Sequence, residues 1–133
     1  NIIMKSFLIS ILIFISIASY SQSIGWKYDD ALASVKRNSD YVRVTEEHVN
    51  NLRFISCIYG KGSDIVAEGY YFDDNNICYK VILAYNPEKI NWIIQNNNDQ
   101  YVKISEYKWK DYKSNFYFEL ATKDDMCYVS MYR

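Results

Sequence analysis

Residues 65–85 read IVAEGYYFDDNNICYKVILAY, and the reading of this stretch decides the fold. Ile65 to Phe72 and Ile77 to Tyr85 are runs of β-branched and aromatic residues, the composition of strands. Between them, Asp73-Asp74-Asn75-Asn76 tolerate positive φ and so reverse the chain tightly. Leu52 to Tyr59 (LRFISCIY) is a further run of this kind, set off by Gly60-Lys61-Gly62-Ser63, so the three segments predict an antiparallel meander. Before them, Tyr41-Val-Arg-Val44 alternates as a strand, and Glu46 to Asn51 reads as a polar connection.

Two helices flank this meander. Trp26 to Arg37 (WKYDDALASVKR) puts Ala31, Leu32 and Val35 on one stripe, with Asp29 placed to cap the first N–H groups. The single Pro lies in Asn86-Pro87-Glu88, where Asn caps, Pro fits the first helical position and Glu meets the positive end of the dipole. That helix carries Ile90, Ile93 and Ile94 with Trp92 beside them, and Asn96-Asn97-Asn98 is expected to end it. Tyr101 to Trp109, Asn115 to Ala121 and Met126 to Tyr132 then read as three strands. The fold class predicted is α+β, two short helices packed on an antiparallel sheet of six or seven strands. A tandem helix-then-strands repeat is an open alternative: Tyr41-Val-Arg-Val and Tyr101-Val-Lys-Ile stand 60 residues apart, and Asp64-Ile-Val-Ala and Asp125-Met-Cys-Tyr 61 apart.

The chain has 133 residues, 15 Lys and Arg against 16 Asp and Glu, and is half hydrophobic, which predicts one globular domain and excludes a disordered tail. Met4-Lys5-Ser6 followed by the apolar run Phe7 to Ile17 predicts a signal peptide over residues 4–21, the first three residues preceding the initiator. The run is well short of the roughly 20 residues that span a bilayer, which argues against a membrane anchor. Ser19 and Ser21 place cleavage before Gln22, with cleavage after Ala18 as the competing site. The signal peptide predicts export to the periplasm or beyond, and since no Cys lies at this junction for lipid attachment, the exported chain is expected to be soluble rather than lipid-anchored. The remaining domain, residues 22–133, carries charge −2 once Lys5 is lost, which makes nucleic acid a poor partner.

The run Tyr70-Tyr-Phe-Asp-Asp-Asn-Asn-Ile-Cys-Tyr79, with Tyr101-Val-Lys-Ile and Trp109-Lys-Asp-Tyr112, resembles a group of uncharacterised small secreted bacterial proteins, across most of the exported domain. That resemblance implies no reaction. The order of helix then strands is also similar, at the level of fold, to the β-lactamase-inhibitor-protein-like architecture, which implies helices covering one face of a curved antiparallel sheet. No residue of that inhibitor's binding surface can be matched here.

Catalytic chemistry finds little purchase. His48 is the single imidazole and stands in the polar connection beside Glu46 and Glu47, where a solvated histidine is expected rather than a base or metal ligand. Asp73-Asp74 and Asp124-Asp125 are paired carboxylates of the kind a glycosidase uses, but both fall at turns. Gly60-Lys61-Gly62-Ser63 lacks the spacing of a phosphate loop. No cofactor is implied, and an enzyme, a small hydrolase, is the least favoured class. Of Cys57, Cys78 and Cys127, the pair Cys78 and Cys127 can bridge if the last strand returns beside the third, and three buried thiols are the alternative.

The remaining signal is aromatic: 14 Tyr, an abundance that AT-rich codons also favour. Alternation assigns Phe116, Phe118 and Leu120 to one face and Tyr117 and Glu119 to the other; likewise Val102 and Ile104 oppose Tyr101, Lys103 and Ser105. Tyr101, Tyr107, Trp109 and Tyr117, with Lys103, are therefore the candidate binding residues, forming an amphipathic surface for an envelope or secreted protein. A glycan is the alternative ligand, and cross-strand Tyr pairs that merely stabilise the sheet are the structural alternative.

Overall fold

A computed structural model describes residues 23–133. The proposed leader, residues 4–21, lies outside the described residues. From Tyr28 the chain runs through helix α1 (Tyr28–Lys36) and strands β1 (Tyr41–Val49), β2 (Leu52–Tyr59), β3 (Ile65–Phe72) and β4 (Cys78–Tyr85). A short 3-10 turn (Pro87–Lys89) leads into helix α2 (Ile90–Gln100), then β5 (Val102–Ser105), β6 (Lys108–Asp111), β7 (Phe116–Lys123) and β8 (Met126–Tyr132). All eight strands make one antiparallel sheet, in the order β1-β2-β3-β4-β8-β7-β6-β5. A helix followed by a four-stranded meander thus occurs twice, and the two meanders meet along β4 and β8. The fold is α+β and mostly sheet.

The element order bears on the internal match. Tyr41 and Tyr101 do occupy equivalent places, at the entry to the first strand of each half. Asp64 precedes β3 but Asp125 precedes β8, and the counterpart of β3 is β7, so the second pairing is a local coincidence.

Sheet turns follow their chemistry. Asn50 and Asn51 have φ of 51° and 65°, Asp124 and Asp125 of 51° and 59°, the left-handed pair that a two-residue hairpin requires. The polar connection is correspondingly shorter than expected: β1 continues through Glu46 to Val49, His48 pairing with Arg53, and only Asn50-Asn51 turn. The expected strand from Tyr101 to Trp109 is split by a reversal at Glu106-Tyr107, which raises the strand count from the expected six or seven to eight. In the β3–β4 turn, Asp73 Oδ1 accepts the backbone N–H groups of Asn75 (2.9 Å) and Ile77 (3.0 Å).

Both helices cover the same face of the sheet. Tyr28, Ala31 and Val35 of α1 and Ile93 of α2 join one core with Ile55, Phe72, Val81, Leu83, Phe118, Leu120, Val129 and Met131. α1 is hung on β4: Gly25 and Tyr28 N–H donate to Cys78 and Asn76 carbonyls, and Cys78 N–H donates to Trp26. Its expected cap is not made, since Lys27 is the N-cap residue and Asp29 stands in the first turn, where it acts on the dipole alone. Asn86 likewise makes no side-chain cap, and α2 runs through Asn96-Asn97-Asn98 to Gln100.

The cysteines are free and buried, which corrects the proposed bridge. The last strand does return beside β4, but in the register Tyr85↔Cys127 and Lys80↔Tyr132. Cys78 is then seven residues along β4 from the partner of Cys127, about 23 Å at strand rise, beyond any disulfide.

Candidate functional site

Paired residues in antiparallel strands share a face, so the register identifies every side chain opposite the helices. One row crosses all eight strands: Glu47, Phe54, Tyr71, Lys80, Tyr132, Tyr117, Lys110, Val102. The next is Thr45, Ser56, Gly69, Ile82, Ser130, Glu119, Lys108. A third holds Ile58, Ala67, Ala84, Tyr128 and Ala121. Among the described residues no element covers this face. With strands about 4.8 Å apart and three rows along them about 7 Å apart, it measures about 34 by 14 Å between Cα positions at its widest, on the order of one side of a standard protein interface once side-chain relief is included.

Its relief comes from small residues at the centre and rings around them. Ser56, Ala67, Gly69 and Ala84 floor a depression of about 140 Å³, walled by Phe54, Tyr71, Ile82 and Tyr128. The Tyr71 ring folds across Gly69 so closely that a Cβ there would stand 3.0 Å from Tyr71 Cε2. Phe54 and Tyr71 stack at 5.6 Å, as do Tyr117 and Tyr132. At one end, Lys80, Ser130 and Tyr132 also line a cavity of about 530 Å³ with Ile24, Ile77 and Arg133.

Lysines lie over these rings. Lys80 Nζ is 5.1 Å from the Tyr71 centroid, Lys108 Nζ 4.8 Å from Tyr117, and Lys110 Nζ 4.9 Å from Tyr117 and 4.7 Å from Tyr112. Glu119 accepts the Tyr132 hydroxyl (2.6 Å) and pairs with Lys108 (3.3 Å). The Tyr132 hydrogen bond and then Lys108 hold its carboxyl below the usual carboxylate range, and the Tyr132 hydroxyl first and then Glu119 raise Lys108. Counting charge by register, Arg43, Lys80, Lys108, Lys110 and Lys123 face this side against Glu47 and Glu119, a surplus of three cations on a chain of net charge −1.

The five candidate binding residues do not form one surface. Tyr117 is on the open face. Trp109 is 0% exposed on the helix-covered side, its Nε1–H donating to Asn98 Oδ1 at 2.8 Å, and so belongs to the core. Tyr101 is half-buried on that side, stacked on Phe118 at 4.4 Å, and burial pushes its phenol up to about 12. Lys103, paired with Trp109 across β5 and β6, is exposed at the sheet edge, and Tyr107 is exposed in the turn between those strands. Val102, 54% exposed, opposes Lys103 as read but takes the open side, and a register shift between Lys103 and Ser105 breaks the expected alternation, so that Ser105 pairs with Lys108 on the same face as Val102. Phe54, Tyr71, Lys80, Tyr128 and Tyr132 were missed because their meeting depends on the β4–β8 contact, which no local pattern announces.

A second polar cluster is internal. Glu68, 2% exposed on the covered side of β3, accepts the hydroxyls of Tyr41 (2.6 Å), Tyr70 (2.7 Å) and Tyr59. Burial first, then the Glu68 charge, push Tyr70 far above its ordinary value; Tyr41 is raised by burial, Tyr70 and Glu68. The adjacent Cys57 thiol is pushed up to about 12 by burial and by Glu68, so it stays a thiol and packs as a small apolar group. The cluster draws on β1, β2 and β3 and ties these strands together. Among the described residues no three His, Cys, Asp or Glu side chains converge as metal ligands, and no helix is long and apolar enough to cross a membrane. Comparison with family models, with curated proteins and with solved structures returns no match.

Proposed function

We propose that this protein is a non-catalytic binding module that docks a partner protein of the cell envelope or secreted space on the open face of its sheet. One observation carries the reading: an eight-stranded sheet with helices on one side only, whose other side has an apolar centre at Ile82, Ala84 and Tyr128 and a charged rim. Monomeric proteins rarely leave so large a partly apolar face without use, and an apolar centre within a polar rim is the anatomy of a protein interface. The apolar run Phe7 to Ile17 supports export to the periplasm or beyond. The one-sided helix cover supports the fold-level likeness to the β-lactamase-inhibitor-protein-like architecture, without extending to its target.

Protein is favoured over glycan because the ring faces are taken. Sugars stack on bare aromatic faces, whereas Tyr117 and Tyr132 stack on each other and lie under lysine ammonium groups. A photo-reactive residue at Tyr128, compared with one at Asp30 on α1, tests the reading in envelope extract. The outcome expected is one cross-linked product from Tyr128 alone, abolished by excess unlabelled protein but not by an excess of a folded Tyr71→Asp variant. Equal products from both positions, or none from Tyr128, would overturn it.

A further inference from the structure

The chemistry of the partner can be read from the row that joins Lys80, Tyr132, Tyr117 and Lys110. Lys108 is paired with Glu119, but Lys80 and Lys110 form no ion pair among the described residues; their ammonium groups rest against Tyr71 and Tyr117. Two cations are thus held over rings without an ion pair, Lys110 donating to the Tyr117 hydroxyl at 3.3 Å and Lys80 reaching Glu119 only through its longer-range field, on the cationic side of an acidic chain. They stand three strands apart, about 14 Å at the usual spacing, with the stacked Tyr132 and Tyr117 between them.

An extended chain laid along this row advances about 3.4 Å per residue and turns alternate side chains to the same side. Residues i and i+4 of such a chain fall about 14 Å apart and both face the sheet, with i+2 midway. We propose that the open face receives an extended acidic segment of the partner protein, of the pattern carboxylate-x-apolar-x-carboxylate. The carboxylates meet Lys80 and Lys110, and the apolar side chain packs against the exposed ring edges of the Tyr132–Tyr117 stack, whose faces are already taken. A neutral or basic segment would leave both ammonium groups desolvated without a counter-charge, which costs affinity. This inference rests on the open face being the docking surface.

The test uses fluorescein-labelled peptides with two Glu flanking a Leu, the acids set two, four or six residues apart, and a Lys counterpart of the four-residue form. Fluorescence polarisation is expected to show the four-residue acidic peptide binding best, and binding falling with salt. Lys80→Glu with Lys110→Glu should weaken it about tenfold or more, two surface pairs being lost and repulsion added. The same double variant should gain affinity for the Lys peptide. An unchanged urea midpoint shows that this variant is folded; if it is not, Lys80→Gln with Lys110→Gln is used, with a smaller loss expected. Equal binding of all spacings, or of the Lys peptide by the unaltered protein, overturns the inference. So does no peptide binding while Tyr128 still cross-links its partner, a result that leaves the docking face standing; failure of both removes both.

Discussion

Replacing Glu68 tests how the first half of the sheet is held. Its carboxylate accepts hydroxyls from Tyr41 on β1, Tyr59 on β2 and Tyr70 on β3, with 2% of the residue exposed. Hydrogen bonds to a charged group contribute about 1.5–3 kcal/mol each, and a buried group left without its partner costs its desolvation as well. Tyr70→Phe removes one donor and should cost about 1.5–3 kcal/mol. Glu68→Ala strands three hydroxyls, and a loss of about 3–5 kcal/mol is expected, a large share of the ~5–15 kcal/mol that holds a typical domain. Since both act on one bond, Glu68→Ala with Tyr70→Phe should fall short of the sum of the single changes by at least ~0.5 kcal/mol. Urea unfolding followed by tryptophan fluorescence reads these values, the buried Trp109 reporting on the core. A Glu68→Ala cost under ~1 kcal/mol, or strict additivity in the cycle, would refute the reasoning, for the three tyrosines would then be satisfied without the carboxylate.

Other consequences follow from the same contacts. Tyr41 and Tyr70 have raised folded values, so the stability they lend is complete below the unfolded tyrosine value of about 10 and is lost as pH rises above it. Urea midpoints should therefore fall in alkali, and less steeply in Tyr70→Phe; a midpoint that does not move would contradict this. Trp109→Ala deletes a fully buried ring and should cost about 3–5 kcal/mol, read by the same unfolding, so its effect on any partner would be an effect of unfolding. All three cysteines should resist a thiol reagent until denaturant is added, with no mass change on reduction; a reducible bridge in the folded protein would overturn the strand register. Gly69→Val should displace the Tyr71 ring, a shift visible in the aromatic circular dichroism with little change in the helical signal; an unchanged aromatic signal would refute the close packing.

How far the sequence revealed the fold depended on whether the chemistry was local. Asp124-Asp125 declared their turn because Asp accepts left-handed backbone, and Asp73 to Asn76 declared theirs through the left-handed Asn76 and the Asp73 carboxylate that accepts the Asn75 and Ile77 N–H groups. Glu106-Tyr107 carries no such residue, so one strand was read where two exist. Glu46 to Val49 looked like a loop because an edge strand exposed to water can carry charge on both sides. Alternation correctly separated Phe116 and Phe118 from Tyr117, yet parity alone does not say which side a helix covers. That is why Trp109 and Tyr101, read as binding residues, lie in or against the core beneath α2, while Tyr71, Lys80 and Tyr132 form the face with Tyr117.

The central claim is that the uncovered side of the sheet is where the partner sits. Backbone amide exchange, compared with and without the partner captured through Tyr128, tests it most directly. Added protection confined to β3, β4, β7 and β8, with α1 and α2 exchanging as before, is the predicted result. Protection centred on the helices, with those strands unchanged, would contradict it.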